Sequence, residues 1–296
     1  MHKHEHDIEK NVSRKNIIFV LIFNIIITVS ELVGGIISNS LALLSDSFHN
    51  FTDTIAIFLT YIGIFIASKE KNKRKTYGYK RAEIIISFLN SLFLIIVSLY
   101  LIYEGIKKII YPEEIKTYLM LIIAVIGFLG NFFSVLLLKS NTHSLNVKSS
   151  YLHLLSDTLS SVGVILSGLI IMLFDIKIFD GLITVLISLY IIYEAFSIFK
   201  KSIDIFMQSS ADIDYDDIKK RISYIQGVKG IHHIHSWLLD DNTIHFEAHL
   251  QMSDMKLSEA EALLREVEKI LKDEYKIEHI TLQQEVFVCE DLSCGE

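Results

Sequence analysis

Six apolar runs fill the first two thirds of the chain, at roughly 16–37, 41–67, 82–108, 117–139, 147–174 and 178–200. Each is about 20 residues or longer, the length a helix needs to cross the hydrocarbon of a bilayer. The link between the first two runs is only Ser38, Asn39 and Ser40, which predicts a tight helical hairpin on one side of the membrane. After about residue 208 the pattern changes period. ADIDYDDIKKRISYIQG reads as a helix that stops at Gly227. Val228–Leu239 and Thr243–Met252 alternate as strands about a turn at Asp240, Asp241 and Asn242. MKLSEAEALLREVEKILKDEY is amphipathic, with Leu257, Ala260, Leu264, Val267 and Leu271 on one face. Lys276–Val288 reads as a third strand.

The expected fold is a membrane bundle of six transmembrane helices followed by a cytoplasmic α+β domain in the order αββαβ. The expected domains are a His-rich cytoplasmic tail at 1–15, a transmembrane domain at 16–207, a cytoplasmic domain at 208–288 and a Cys-containing tail at 289–296. The α+β domain is small enough that pairing with a second copy would help its stability.

Composition agrees with a membrane protein. The 296 residues are 51% hydrophobic and contain a single Pro, with a mean hydropathy of +0.42. That is too apolar for an ordinary soluble enzyme, and one Pro suits long unbroken helices. The first 16 residues lack the short apolar core and small-residue cleavage site of a secretory signal, so the first span is expected to stay in the mature protein. The two cysteines, Cys289 and Cys294, imply no disulfide framework.

The net charge of −7 hides a clustering of bases. Lys10, Arg14 and Lys15 precede span one, and seven Lys or Arg lie between Lys69 and Arg81. Lys139 and Lys148 flank the loop between spans four and five, and Lys200 and Lys201 follow span six. All fall on one side of a six-span chain, so both termini are expected in the cytoplasm, with the protein in the cell membrane.

Chemistry enters where polar residues interrupt the runs. His49 and Asp53 lie in LALLSDSFHNFTDTIAIFLT, and His153 and Asp157 lie in SSYLHLLSDTLSSVGVILSG. Residues four apart share a helix face one turn apart, so each pair presents an imidazole and a carboxylate together. Ionisable groups at that depth are expensive and mark a partner or a pathway. Two imidazoles and two carboxylates make a tetrahedral set suited to Zn²⁺. Asp46 shares the face of His49 and is expected to support the site or handle protons rather than bind the ion. Glu31 is equally deep and either lines an aqueous cavity or has a structural part.

The soluble part carries six of the twelve histidines. His249 and Glu285 fall on the polar faces of the second and third strands, where they suit a further metal site or a solvated sheet face. His2, His4 and His6 form a tract able to bind metal loosely.

LLSDSFHNFTD, NVKSSYLHLLSDTLSSVGV, and GVKGIHHIHSWLL followed by HFEAHLQM resemble the signatures of the cation diffusion facilitator family, in its zinc-transporting branch. The resemblance covers nearly the whole chain. It implies a homodimeric metal/proton antiporter whose transport ligands are His49, Asp53, His153 and Asp157. It also implies cytoplasmic ligands at His232, His249 and Glu285, with Glu261 a further candidate. KTYGYKRAE holds no His, so no metal site is expected in the loop after span two, and Gln283 replaces a His of some relatives.

Neither a GxxxxGK[ST] loop nor a DKTG motif is present, so an ion gradient is the expected energy source. Protons compete with Zn²⁺ for the same imidazoles and carboxylates. The chain is therefore expected to export Zn²⁺, with Cd²⁺ and Co²⁺ as further candidate substrates, with Zn²⁺ also a regulatory ion and no prosthetic group. Protons, the lipid bilayer and a second copy are the other expected partners, and no nucleic acid is. The alternatives are an intramembrane metalloenzyme and a divalent-cation channel. HExxH is absent, four protein ligands leave no position for a catalytic water, and a closed site holds its ion too firmly for high flux.

Overall fold

A computed structural model describes residues 22, 24–67, 69, 71–139 and 145–287. The helices are α1 (Asn24–Ser38), α2 (Leu41–Ala67), α3 (Ala82–Ile110), α4 (Thr117–Lys139), α5 (Leu145–Phe174), α6 (Ile178–Phe206), α7 (Tyr215–Ser223) and α8 (Leu257–Tyr275). The strands are β1 (Val228–Leu238), β2 (Ile244–Met252) and β3 (His279–Glu285). The helices at 82–110, 117–136, 157–174 and 178–206 are long and apolar enough to cross a membrane. The αββαβ order of the soluble part is as the periodicity predicts.

The chain divides into two units: residues 1–62 with 89–199, and residues 63–88 with 200–296. In the first unit Asn39 makes the α1–α2 hairpin possible by taking φ 57°, a left-handed conformation Asn tolerates. Ser40 then caps α2, its Oγ accepting from Leu43 N at 3.2 Å. A charge pair ties the same corner together. Asp180 of α6 accepts from Ser40 Oγ at 2.5 Å and from Leu41 N at 2.8 Å. Lys108 of α3 reaches Asp180 at 3.0 Å and also donates to the Asn39 carbonyl. Both side chains are buried. The partner of Lys108 lies 72 positions away in sequence, beyond the reach of local pattern.

In the second unit the sheet order is β1-β2-β3, with β1 antiparallel and β2 parallel to its neighbour. A parallel β2–β3 pair needs a crossover, and α8 supplies it. Helices α7 and α8 bury Ile218, Ile222, Val267, Ile270 and Leu271 against Phe246, Ala248 and Leu250 of β2. Each large side chain buried this way contributes roughly 1.5–3 kcal/mol. Gly227 turns the chain from α7 into β1 at φ 100°, a conformation a side chain resists. One expectation fails on α8: Leu257 is 75% exposed. It opens the helix, where the amphipathic stripe has not yet met the sheet, and Ile270 joins Ala260, Val267 and Leu271 in the core instead.

Candidate metal centres

Within the bundle, α2 and α5 bring His49 and Asp157 together. Nε2 of His49 lies 3.2 Å from Oδ1 of Asp157, with side-chain exposures of 5% and 1%. These residues are 108 positions apart, so the contact is made by packing of one helix on the other. Asp53 and His153 lie in the same two helices, one turn from His49 and from Asp157, but their side chains are outside the described residues.

Asp46 of α2 also meets α5. Its carboxylate accepts from Ser160 Oγ at 2.6 Å and Ser161 Oγ at 3.0 Å. Both donors belong to α5, the helix that carries Asp157. Glu31 of α1 is buried and accepts from Asn50 Nδ2 at 2.8 Å. It is adjacent to His49 in space through the next residue of α2. Gly127 of α4 makes room for it, because a Cβ at that position would collide with the Glu31 carboxylate. Ionisable groups buried in a membrane are expensive, which makes such a cluster a candidate functional site.

In the second unit, β2 places His249 directly opposite His232 of β1 and opposite Gln283 of β3. Glu285 reaches across from β3. Its carboxylate lies 2.7 Å from His249 Nδ1 and 3.2 Å from His232 Nε2. These approaches are close but not aligned as hydrogen bonds, and Nε2 of His232, Nδ1 of His249 and Oε2 of Glu285 are buried without such a partner. Among the described residues this is the one trio of His, Cys, Asp or Glu whose ligand atoms all lie within 4.8 Å of each other. Ligands about 2.0–2.1 Å from a tetrahedral Zn²⁺ stand about 3.3 Å apart, so the spacing and the donor set fit that ion. Glu261 is not brought to the group: it is exposed on α8 and pairs with Arg265 at 2.7 Å.

Two further histidines stand beside the trio that strand alternation does not place there. A register shift interrupts β1 between His232 and His235, and His233 takes φ 50°. Such a bulge sets consecutive side chains on one side of the sheet. The ring of His233 is thereby 4.6 Å from that of His249 and 4.7 Å from that of His235. The sequence signal is the adjacent pair His232–His233, where a regular strand would send one ring to each face. His2, His4, His6, Cys289 and Cys294 lie outside the described residues.

Residues 17–207 match the model for the cation efflux transmembrane domain, and residues 211–287 match that for the cation efflux protein, cytoplasmic domain. A cadmium, cobalt and zinc/H(+)-K(+) antiporter of Bacillus velezensis is 34% identical over 289 residues, covering 96% of this chain and 91% of that protein. The metal cation efflux system protein CzcD of Cupriavidus metallidurans is 34% identical over 270 residues, 90% of this chain and 85% of its own. Zinc transporter ZitB of Pectobacterium atrosepticum is 30% identical over 296 residues, 99% and 92% respectively.

Proposed function

The chain belongs to the cation efflux, or cation diffusion facilitator, family, and from that premise we propose that this multi-pass membrane transporter, not an enzyme, exports Zn²⁺ in exchange for protons. The ion is held between α2 and α5 by His49, Asp53, His153 and Asp157. Cd²⁺ and Co²⁺ are secondary substrates, in keeping with the names of the relatives. The observation that carries the reading is the sealed His49–Asp157 contact between helices distant in sequence.

The chemistry follows from the donor types. Imidazole and carboxylate bind Zn²⁺ only after losing their protons, so a proton and the metal exclude one another from the same atoms. Imidazole exchanges its proton near neutrality, where a modest pH difference changes occupancy. A site opened to the cytoplasm loads the metal; opened to the other side, where protons are more abundant, it releases the metal and takes protons back. Asp46, held by two serine hydroxyls, keeps a carboxylate close to this exchange without occupying the ion's coordination. The termini and the sheet domain face the cytoplasm. There His232, His249 and Glu285 bind Zn²⁺ as a regulatory ion and favour one arrangement of two subunits. Metal achieves this only by binding that arrangement more tightly than others.

The test is metal flux in proteoliposomes containing a zinc indicator. An imposed pH gradient is expected to drive Zn²⁺ uphill, and the indicator-side pH is expected to move in the opposite sense. A Bacillus velezensis relative's name also includes K⁺, so the K⁺ gradient is varied separately. Uphill Zn²⁺ movement that ignores both gradients ends the antiport reading, and unitary currents in planar bilayers would make the chain a channel.

A further inference from the structure

We propose that His245 and His279 form a separate binding site for a borderline transition-metal dication such as Zn²⁺, roofed by the segment that joins α2 to α3. The two residues are register partners on the parallel strands β2 and β3. Neighbouring strands run about 4.7–4.9 Å apart, so partners on one face present their side chains together. Here the ring centroids are 4.5 Å apart and tilted by 38°, a juxtaposition that lets two imidazoles converge on one ion.

Three further observations point to a ligand. His245 is 3% exposed, and its Nδ1 is buried with no hydrogen-bond partner. Leaving such an atom unsatisfied costs about 1–3 kcal/mol. The two histidines also line a cavity of about 400 Å³, together with Glu278, Thr76 and Tyr77. Two imidazoles with a carboxylate or water completing the shell suit a Zn²⁺-like ion. Finally, burial, then the nearby His279 and Lys80, hold the pKa of His245 below its ordinary value. That direction favours the deprotonated ring, the form that binds metal. Two lysines share the cavity lining. Lys80 is engaged, donating to Thr243 Oγ1 at 2.8 Å and lying 3.5 Å from Asp240, and Lys71 is exposed to solvent.

The site shares no residue with the His232–His249–Glu285 group. His245 and His249 are four residues apart on one strand, so the two centres stand about 13 Å apart on the same face. Packing alone explains part of the picture, since Trp237 stacks on His245 at 5.3 Å and Tyr77 meets it edge-on at 5.1 Å. Tyr77 also meets His279 edge-on at 6.1 Å, but packing leaves Nδ1 of His245 unsatisfied.

The experiment uses Trp237, the single tryptophan of the chain, as the reporter. The full-length protein in detergent carries Asp157→Ala and His249→Ala to disable the other two centres. Titration with Co²⁺ or Ni²⁺ is expected to quench Trp237 emission with saturation at one ion per subunit, and Zn²⁺ is expected to reverse the quenching by competition. Adding His279→Gln should abolish the saturable phase and lower zinc bound at equilibrium dialysis by one ion per subunit. His279 is exposed, so metal-free thermal unfolding should be unchanged by that substitution. The His-rich tail and the cysteines are present in both arms and cancel. Saturable quenching that survives His279→Gln, or none in the parent protein, overturns the proposal, as does an unaltered zinc count.

Discussion

The two histidine–carboxylate groups, one in the bundle and one on the sheet, use similar donors in opposite settings. His49 and Asp157 are sealed, with side chains 5% and 1% exposed. His232, His249 and Glu285 keep 26%, 19% and 13% of theirs in contact with solvent. An ion held by a sealed pair would exchange only when the helices around it move, which would couple occupancy to conformation. A half-open trio would equilibrate with the surrounding solution. On the proposed reading, similar chemistry serves carriage in one place and sensing in the other, and the difference is access.

The largest effect comes from breaking the sealed side. Asp157→Ala removes a proposed ligand, and zinc flux in proteoliposomes should fall by more than the ~10–100-fold typical of losing a supporting residue. Asp46→Ala removes a carboxylate that already has two serine donors and should fall within that smaller range. Flux lost with Asp46→Ala but kept with Asp157→Ala would reverse the roles of the two carboxylates.

Lys108–Asp180 is a buried charge pair outside the proposed transport site, and it sharpens the comparison. Lys108→Ala leaves the fully buried Asp180 uncompensated. Removing one partner of such a pair costs about 3–5 kcal/mol, to be read from unfolding of the detergent-solubilised protein. Joint replacement by Lys108→Met and Asp180→Asn should recover much of the loss. Zinc affinity should change little, in contrast to Asp157→Ala.

The half-open side is tested by His249→Ala. Zinc at about 100 times its dissociation constant stabilises a folded state by about 2.7 kcal/mol, and most of the zinc-dependent gain in melting temperature should vanish with this substitution. Transport should suffer more at low cytoplasmic zinc than at saturation, because the membrane ligands are intact. Full zinc-dependent stabilisation in the variant would leave the trio a structural cluster.

Much of this was legible in the chain. Apolar runs of spanning length placed α2 to α5 closely, because the requirement of length and apolarity is imposed by the bilayer and is local, whereas α6 continues past the expected end at 200 to Phe206. Strand alternation likewise placed His249 and Glu285 on the exposed face. What local pattern misses is set by partners far away or by departures from regular geometry. Asp180 has Lys177 three residues before it, but that lysine pairs with Glu114, and the carboxylate is explained by Lys108 and the cap of α2. His233 joins its neighbour's side only because β1 bulges. Alternation puts His245 on a solvated face, whereas the segment containing Tyr77 covers it. Glu261 was an expectation from resemblance, and its carboxylate has instead an arginine one helical turn away.

The smallest effect concerns a carboxylate with no metal role. Asp240 accepts from Asn242 N at 2.9 Å, from Thr243 N at 2.6 Å and from Thr243 Oγ1 at 2.8 Å, closing the β1–β2 turn. Burial by itself would raise its pKa, but these bonds and the Lys80 ammonium outweigh burial and hold it below the ordinary value. A carboxyl whose folded pKa is depressed stabilises the fold above its unfolded pKa, and that contribution is lost as pH falls through the folded one. Asp240→Asn keeps the shape and removes the charge, so it should cost about 1 kcal/mol at neutral pH. The gap in thermal stability between the parent protein and the variant should then close on acidification below the ordinary aspartate range. A gap of the same size at every pH would mean that the turn is held by shape and not by charge. That outcome would also separate Asp240 from Asp157, whose proposed work requires the charge.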